Sequence, residues 1–389
     1  MQKTKYFKMK KYLILGIILI SLKVFGQNNT SSDKLKFFIG EQVINAGDEN
    51  EKQIIQIWKN YISSGQYGNP DSPYWSFEKT NVPDEYLWAL NLTNIQNNKY
   101  QTQCKIIGIF PVEHGYYCLK SAFMHIVEGE IFLDVIPTVY AKKFNGKFLL
   151  VNSTTYHKEI LEHHKIGNVN FYVHPFHKFD IVKAKQMSAF CEEMAKKFGT
   201  SPFEIDYFVS NTSREITEIW GYEYMDRMYR PEQTGGVALV SQNLVLAGNN
   251  SEYYPHEVVH LYAYNVAHNL PYFWINEGIA TYFAGSSEKT FEWHLKELKE
   301  FHKTNPNYDY VNIDKLVDFD IPNGKHMTDL RYIIGALIIR EIYKKEGMKG
   351  IKEALTIGDT KDDMFVLIKK KLNVDKKQFN TFIQKQIEN

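Results

Sequence analysis

The sequence predicts an α+β protein in two folded parts, and three observations carry that reading. A helical period near 50–64 is followed by strand-like runs between 100 and 152. A polar run at 155–167 then marks a boundary. From 168 onward short strands mix with helices, and the chain after about 248 reads as almost wholly helical. The expectation is a small α+β domain with a meandering sheet over 34–155. A second domain over 168–389 carries a mixed sheet followed by a helical bundle, with its site where the sheet and the helices meet.

In the first part, Ile54, Ile55, Ile57, Trp58 and Ile62 recur at helical spacing. Turn residues follow, from Ser63-Ser64-Gly65 to Asn69-Pro70-Asp71-Ser72-Pro73. Ile106 to Phe110, Tyr116 to Ile126, Ile131 to Tyr140 and Lys147 to Asn152 read as strands. Between them fall Glu113-His114-Gly115, Glu128-Gly129 and Asn145-Gly146; the last is a strong hairpin signal. This order of elements resembles the cone-shaped sheet of the nuclear-transport-factor family. The run His157-Lys158-Glu159 through His163-His164-Lys165 reads as a charged linker, because nothing fixes its histidines at ligand spacing on one face.

In the second part, Asn168 to Val173 and Phe203 to Val209 read as strands, and 180–198 as a helix ending at Gly199. Asn211-Thr212-Ser213 offers N-cap chemistry for a short helix. Thr234 to Val240 and Leu244 to Ala247 form a hairpin pattern around Ser241-Gln242-Asn243. No internal repeat recurs at a fixed period.

Composition bounds the function. The 389 residues are 44% hydrophobic and 23% charged, which leaves no room for a long disordered region. With 46 basic against 45 acidic residues there is no electrostatic footprint for nucleic acid. Lys3, Lys5, Lys8, Lys10 and Lys11 precede the apolar run Leu13 to Leu22, about half of the ~20 residues a span requires. Residues 1–26 therefore read as a signal peptide cleaved near Gly26, giving an exported protein, periplasmic or secreted, with no span in the mature chain; an uncleaved signal anchor is the competing account. Cys104, Cys118 and Cys191 match no zinc spacing. Cys104 and Cys118 fall on neighbouring expected strands and could pair in an oxidising compartment, whereas Cys191 reads as a buried thiol.

The chemistry lies in Tyr254-Pro255-His256-Glu257-Val258-Val259-His260. Four residues advance a helix by about 400°, so His256 and His260 stack on one face within reach of one Zn²⁺. Glu257 projects about 100° away, close enough to hold a water without being a ligand. Val258, Val259, Leu261 and Ala263 would bury the rest of the helix. A chain with 13 His can carry this pattern by chance, so a third ligand matters. Seventeen residues beyond His260 stands Glu277, in an apolar run after the turn Asn269-Leu270-Pro271. A second helix ending near Gly285 would carry its carboxylate back to the imidazoles, and a metal would compensate its burial.

These two motifs together resemble the gluzincin metallopeptidases of the aminopeptidase N and thermolysin type. Trp274 followed by Asn276-Glu277-Gly278-Ile279-Ala280-Thr281-Tyr282 matches that group's second motif. A metzincin would need Gly at 263 and His at 266, where this chain has Ala263 and Val266. His268 accordingly reads as a residue outside the ligand set. The resemblance implies a zinc peptidase over 168–389, with His256, His260 and Glu277 as ligands and Glu257 as general base. It also points to Tyr332, in Tyr332-Ile333-Ile334-Gly335, as the donor to the oxyanion. Core packing is the other account of Tyr332 in a chain with 26 tyrosines. The aminopeptidase stretch that anchors a free amine corresponds to Gly235-Gly236-Val237-Ala238-Leu239, which has no acid. Gly235, Gly236, Val237 and Ala238 could still pair with an extended peptide as an edge strand.

The reading is peptide-bond hydrolysis of a peptide or protein substrate, by a zinc-activated water with Glu257 as base. One rival is a catalytically degenerate peptidase fold used as a binding module; the intact base and ligand set speak against it. A purely structural zinc site would be closed by four ligands rich in Cys. The lysine run Lys369-Lys370-Lys371 is read as solvated surface.

Overall fold

The computed structural model describes residues 35–44, 48–64, 71–76, 101–225, 235–315, 320–323 and 326–388. The signal-peptide segment, the Asn69-Pro70 turn and Thr234 lie outside the described residues. Helices and sheets both build the described chain, an α+β protein. It divides into two compact units. One comprises described residues up to Cys191 together with Pro202–Tyr254. The other comprises Glu192–Ser201 and the described residues from Pro255 onward.

In the first unit, β1 (Leu35–Ile39), α1 (Glu41–Ile44) and α2 (Glu49–Ser64) precede four long strands. These are β2 (Gln101–Pro111), β3 (Tyr117–Val127), β4 (Glu130–Phe144) and β5 (Lys147–Val151), a meander in sequence order as expected. β1 adds to β2 in parallel, and the other pairs are antiparallel. Asn145 and Gly146 turn the last hairpin with φ of 49° and 81°, the positive values a type I′ turn demands. Helix α2 buries Ile54, Trp58, Tyr61 and Ile62, with Trp58 edge-on to Phe123 at 6.3 Å.

The same unit holds a second, five-stranded sheet. Helix α3 (Ser153–Ile160) leads into β6 (Glu162–Ile166) and β7 (Val169–Val173). Helix α4 (Ile181–Phe198), whose residues from Glu192 onward belong to the other unit, β8 (Ile205–Val209) and α5 (Ser213–Trp220) follow. Thr212 caps α5 by accepting from the Glu215 amide, as its sequence suggests. Strand β9 (Tyr222–Met225), absent from the sequence reading, pairs with β4 of the first sheet. β10 (Gly236–Leu239) and β11 (Leu244–Ala247) complete the order β10-β11-β8-β7-β6, with β7, β8 and β11 parallel and antiparallel strands at both edges.

Two expectations for this unit are corrected. The run at 155–167 is not a linker: it is the end of α3 and the edge strand β6. Its charges suit an edge strand, whose outer rim faces water. No break in packing occurs there either, since Phe208, Leu244 and Leu246 share one buried cluster with Trp58, Phe123 and Leu150. Its histidines are packed, with His163 stacked on Tyr172 and His164 on Phe179. The Cys104–Cys118 pairing also fails. Cys104 lies opposite Phe123 and Cys118 opposite Phe110. Five positions at ~3.4 Å put the two cysteines roughly 17 Å apart along the ladder, far beyond disulfide reach. All three cysteines are buried, and none is in a disulfide.

The second unit is mostly helical. α6 (Pro255–Ala267) and α7 (Phe273–Ala284) carry the two motifs, and α8 (Phe291–Thr304) follows. A two-stranded hairpin, β12 (Asp320–Asn323) with β13 (His326–Asp329), interrupts the expected helical run. Four-residue strands containing Pro322 are too short to show a period. α9 (Leu330–Ala354), α10 (Lys361–Leu372) and α11 (Phe379–Glu388) complete the unit. Lys371 departs from the solvated reading: it is buried, held by Glu346 and Glu353 at 2.6 Å each. Lys369 and Lys370 are exposed. No described helix is long and apolar enough to cross a membrane.

Candidate metal centre

Pro255 opens α6 at the one position where a missing N–H costs nothing, and the helix then buries every residue from His256 to Ala263. α7 is apolar on nearly all sides and buries Trp274, Ile275, Glu277, Gly278, Ile279, Ala280 and Thr281. A carboxylate in such a helix needs compensation, and it has two imidazoles. Glu277 Oε2 lies 3.1 Å from His256 Nε2 and 3.5 Å from His260 Nε2, and the two Nε2 atoms are 3.3 Å apart. Four-coordinate zinc with bonds of about 2.0–2.1 Å separates its ligand atoms by roughly 3.3 Å, so the triangle has the size that ion requires.

The protonation pattern points the same way. His256 Nδ1 lies 2.6 Å from the Gly285 carbonyl oxygen, which can only accept, so Nδ1 carries the hydrogen. In the neutral ring Nε2 is then a lone pair facing a carboxylate oxygen and a second imidazole nitrogen, an arrangement that calls for a cation. Burial pushes the His260 ring down, but the charge and hydrogen bond of Glu277, with Glu257 and Asn276 adding to them, lift it to about 9. Burial likewise pushes the Glu277 carboxyl up, and the two histidines overcome that and hold it well below the usual carboxylate range. In the metal-free chain a proton does the neutralising. Among the described residues these three form the one such cluster of His, Cys, Asp and Glu.

Glu257 follows His256 on α6, buried, and its charge is felt by His260. Tyr332, in the first turn of α9, stacks parallel to His256, with ring centroids 5.8 Å apart and planes within 6°. It is half-buried, so pure core packing does not account for it. Its helix is pinned at the start: Asp329 caps α9 by accepting from the Arg331 amide at 2.8 Å, and the Arg331 guanidinium lies over Phe273. His268 is exposed at the end of α6, outside the cluster.

The sequence reading quotes Gly278 and Gly335 as motif positions but gives them no packing role, and it leaves out Asp314. Gly278 and Gly335 face one another where α7 crosses α9. A Cβ on Gly278 would sit 2.7 Å from the Gly335 Cα, and one on Gly335 would overlap the Trp274 carbonyl. Two glycines thus let α9 approach close enough to bring Tyr332, one turn before Gly335, onto His256. Glycine inside an apolar helical run was the available signal. Asn276, next to Glu277 on α7, adds to the upward push on the His260 ring. Asp314 accepts from Trp274 Nε1 and from the Tyr272 hydroxyl at 3.0 Å each, fixing the start of α7. Nothing in the sequence near Asp314 marks it.

The expected substrate strand, Gly235 to Ala238, lies in the other unit. Gly236 to Ala238 form most of β10, at one edge of the five-stranded sheet, and the Gly235 carbonyl accepts from the Gly248 amide at 2.8 Å.

No protein-family model matches the sequence, and no curated protein is similar to it. Among solved structures, an M1 zinc metallopeptidase from Deinococcus radiodurans, a mutant bound to a Tyr-Ser-Ala substrate, is similar at 12% identity with a TM-score of 0.28. The match covers 75% of this chain and 64% of that one, so the chain spans less than two thirds of that protein. A likeness of that size leaves fold and site to be argued from this chain's own residues.

Proposed function

We propose that the chain is an exported zinc-dependent peptidase of the gluzincin type, with residues 168–389 as its peptidase region. The observation that carries the reading is the buried triangle of His256 Nε2, His260 Nε2 and Glu277 Oε2, with Glu257 beside it and one side left without a protein ligand among the described residues. Three protein ligands without Cys suit a catalytic rather than a structural zinc.

Zinc, when bound, supplies a Lewis acid that polarises the scissile carbonyl and acidifies the attacking water. The chain's own groups do the rest. His256 is fixed by its Nδ1–H donated to Gly285. Glu257 takes the proton of the attacking water and delivers it to the leaving amine. The Tyr332 hydroxyl donates toward the developing oxyanion.

Metal analysis tests the ligand set. Wild-type protein should hold stoichiometric zinc, and His256→Ala and Glu277→Ala should each lose most of it; full retention by both variants would sink the assignment. Tyr332→Phe should keep its zinc and lose roughly 10²–10³-fold in kcat, the usual worth of one oxyanion donor. An unchanged kcat would return Tyr332 to packing alone.

A further inference from the structure

His294 lies on α8, almost wholly buried at 1% exposure, and belongs to neither motif. Its ring spans two segments far apart in sequence. Nε2 is 2.9 Å from the Ser286 carbonyl oxygen and 3.0 Å from the Ser286 hydroxyl, while Nδ1 is 2.8 Å from the Thr328 hydroxyl. The carbonyl can only accept, so Nε2 carries the hydrogen, and Nδ1 accepts from Thr328. Burial drives the ring down to about 4, so this neutral form is the one present near neutral pH.

Both anchor points adjoin groups that fix His256. Ser286 follows Gly285, whose carbonyl takes the His256 Nδ1–H. Gly285 itself has φ of 74°, and a Cβ there would overlap the Lys289 carbonyl. The turn from Ser286 to Lys289 is closed by backbone hydrogen bonds in both directions, Ser286 N–H to the Lys289 carbonyl at 2.9 Å and Lys289 N–H to the Ser286 carbonyl at 2.8 Å, with Ser287 and Glu288 at positive φ. Thr328, fully buried, precedes Asp329, the cap of the helix that carries Tyr332. One imidazole therefore ties the carbonyl at one edge of His256 to the helix start that sets the aromatic ring on its face.

We propose that His294 is a positioning residue, which holds the Gly285 carbonyl and the start of α9 in register and so fixes the orientation of His256 and its distance from Tyr332. It touches neither the ligand triangle nor a substrate. Its hydrogen bonds to Ser286 and Thr328 join the Gly285 turn directly to the β13–α9 junction. Hydrogen-bond partners of metal-bound histidines change metal affinity by about 10–100-fold when removed, and His294 acts one bond further out. An effect near the lower end of that range follows.

The inference rests on the zinc-peptidase reading, so the experiment separates the two. Zinc affinity is measured by competition with a chromogenic chelator on wild type, His294→Phe and His294→Asn, alongside the visible spectrum of the Co²⁺-loaded proteins. Asn can accept from Thr328 with its carbonyl at the Nδ1 position but stops short of Ser286, whereas Phe fills space without either bond. His294→Phe should bind zinc about 10-fold more weakly, shift the Co²⁺ bands and lower kcat with little change in KM. His294→Asn, with the Thr328 bond restored, should recover part of each. If wild type itself binds no metal, the zinc reading has failed. If wild type binds and His294→Phe matches it in affinity, spectrum and kcat, the positioning role is overturned, whatever happens to thermal stability. Equal losses in His294→Phe and His294→Asn would also overturn it, because the hydrogen bonds would then not be what matters.

Discussion

Glu257→Gln should bind zinc as tightly as wild type and hydrolyse an unstructured protein 10²–10⁴-fold more slowly, the usual worth of a general base. The amide keeps the size of the side chain, so the buried helix face that carries His256 and His260 is undisturbed. It cannot accept the proton of the attacking water. His260, lifted by Glu277 ahead of Glu257, loses only the lesser of two carboxylate partners. The measurement pairs zinc content with the initial rate of cleavage of a denatured protein. Zinc bound with full activity would remove Glu257 from the mechanism; zinc lost would mean that it holds the site together rather than running it. The same variant separates an enzyme from a peptidase-like scaffold that only binds.

Gly335→Ala should be the most damaging small substitution in the helical unit. One methyl there would overlap the Trp274 carbonyl and stand 3.1 Å from the Gly278 Cα. The obstacles are backbone rather than the ends of flexible side chains, so the helices must separate. Overpacking typically costs 1–3 kcal/mol and occasionally more, and a backbone clash sits at the upper end, about 3 kcal/mol. Thermal unfolding should fall by roughly 6–12 °C for a unit of this size. Because α7 carries Glu277 and α9 carries Tyr332, the folded remainder should also bind zinc less tightly and turn over more slowly. A Tm within 1–2 °C of wild type would show that the crossing is not a tight contact.

The cluster of His256, His260 and Glu277 was readable in two ways: helical geometry puts the two histidines at four-residue spacing on one face, and Glu277 stood out through the resemblance of its Asn276-Glu277-Gly278 block to the gluzincin second motif. The first sheet was readable for a similar reason, since its strands are long and its turns carry Asn-Gly and Glu-Gly pairs. What stayed hidden depends on chain segments distant in sequence. β9 has four residues and finds its place only against β4. Lys371 looks solvated until Glu346 and Glu353 arrive from another helix. His294 is one of 13 histidines, and only tertiary packing sets it between Ser286 and Thr328. The run at 155–167 misled because polarity was read as solvent exposure along a linker, whereas an edge strand is polar for the same physical reason.

The shared buried cluster beneath the two sheets bears on modularity. Trp58 and Phe123 from the meander and Phe208 and Leu246 from the mixed sheet lie in one continuous apolar interior. Neither sheet owns its side of that interior, so neither is a detachable cassette that recombination could move intact into another protein. The strands that follow residue 160 and those that precede it have to be inherited, and to fold, together.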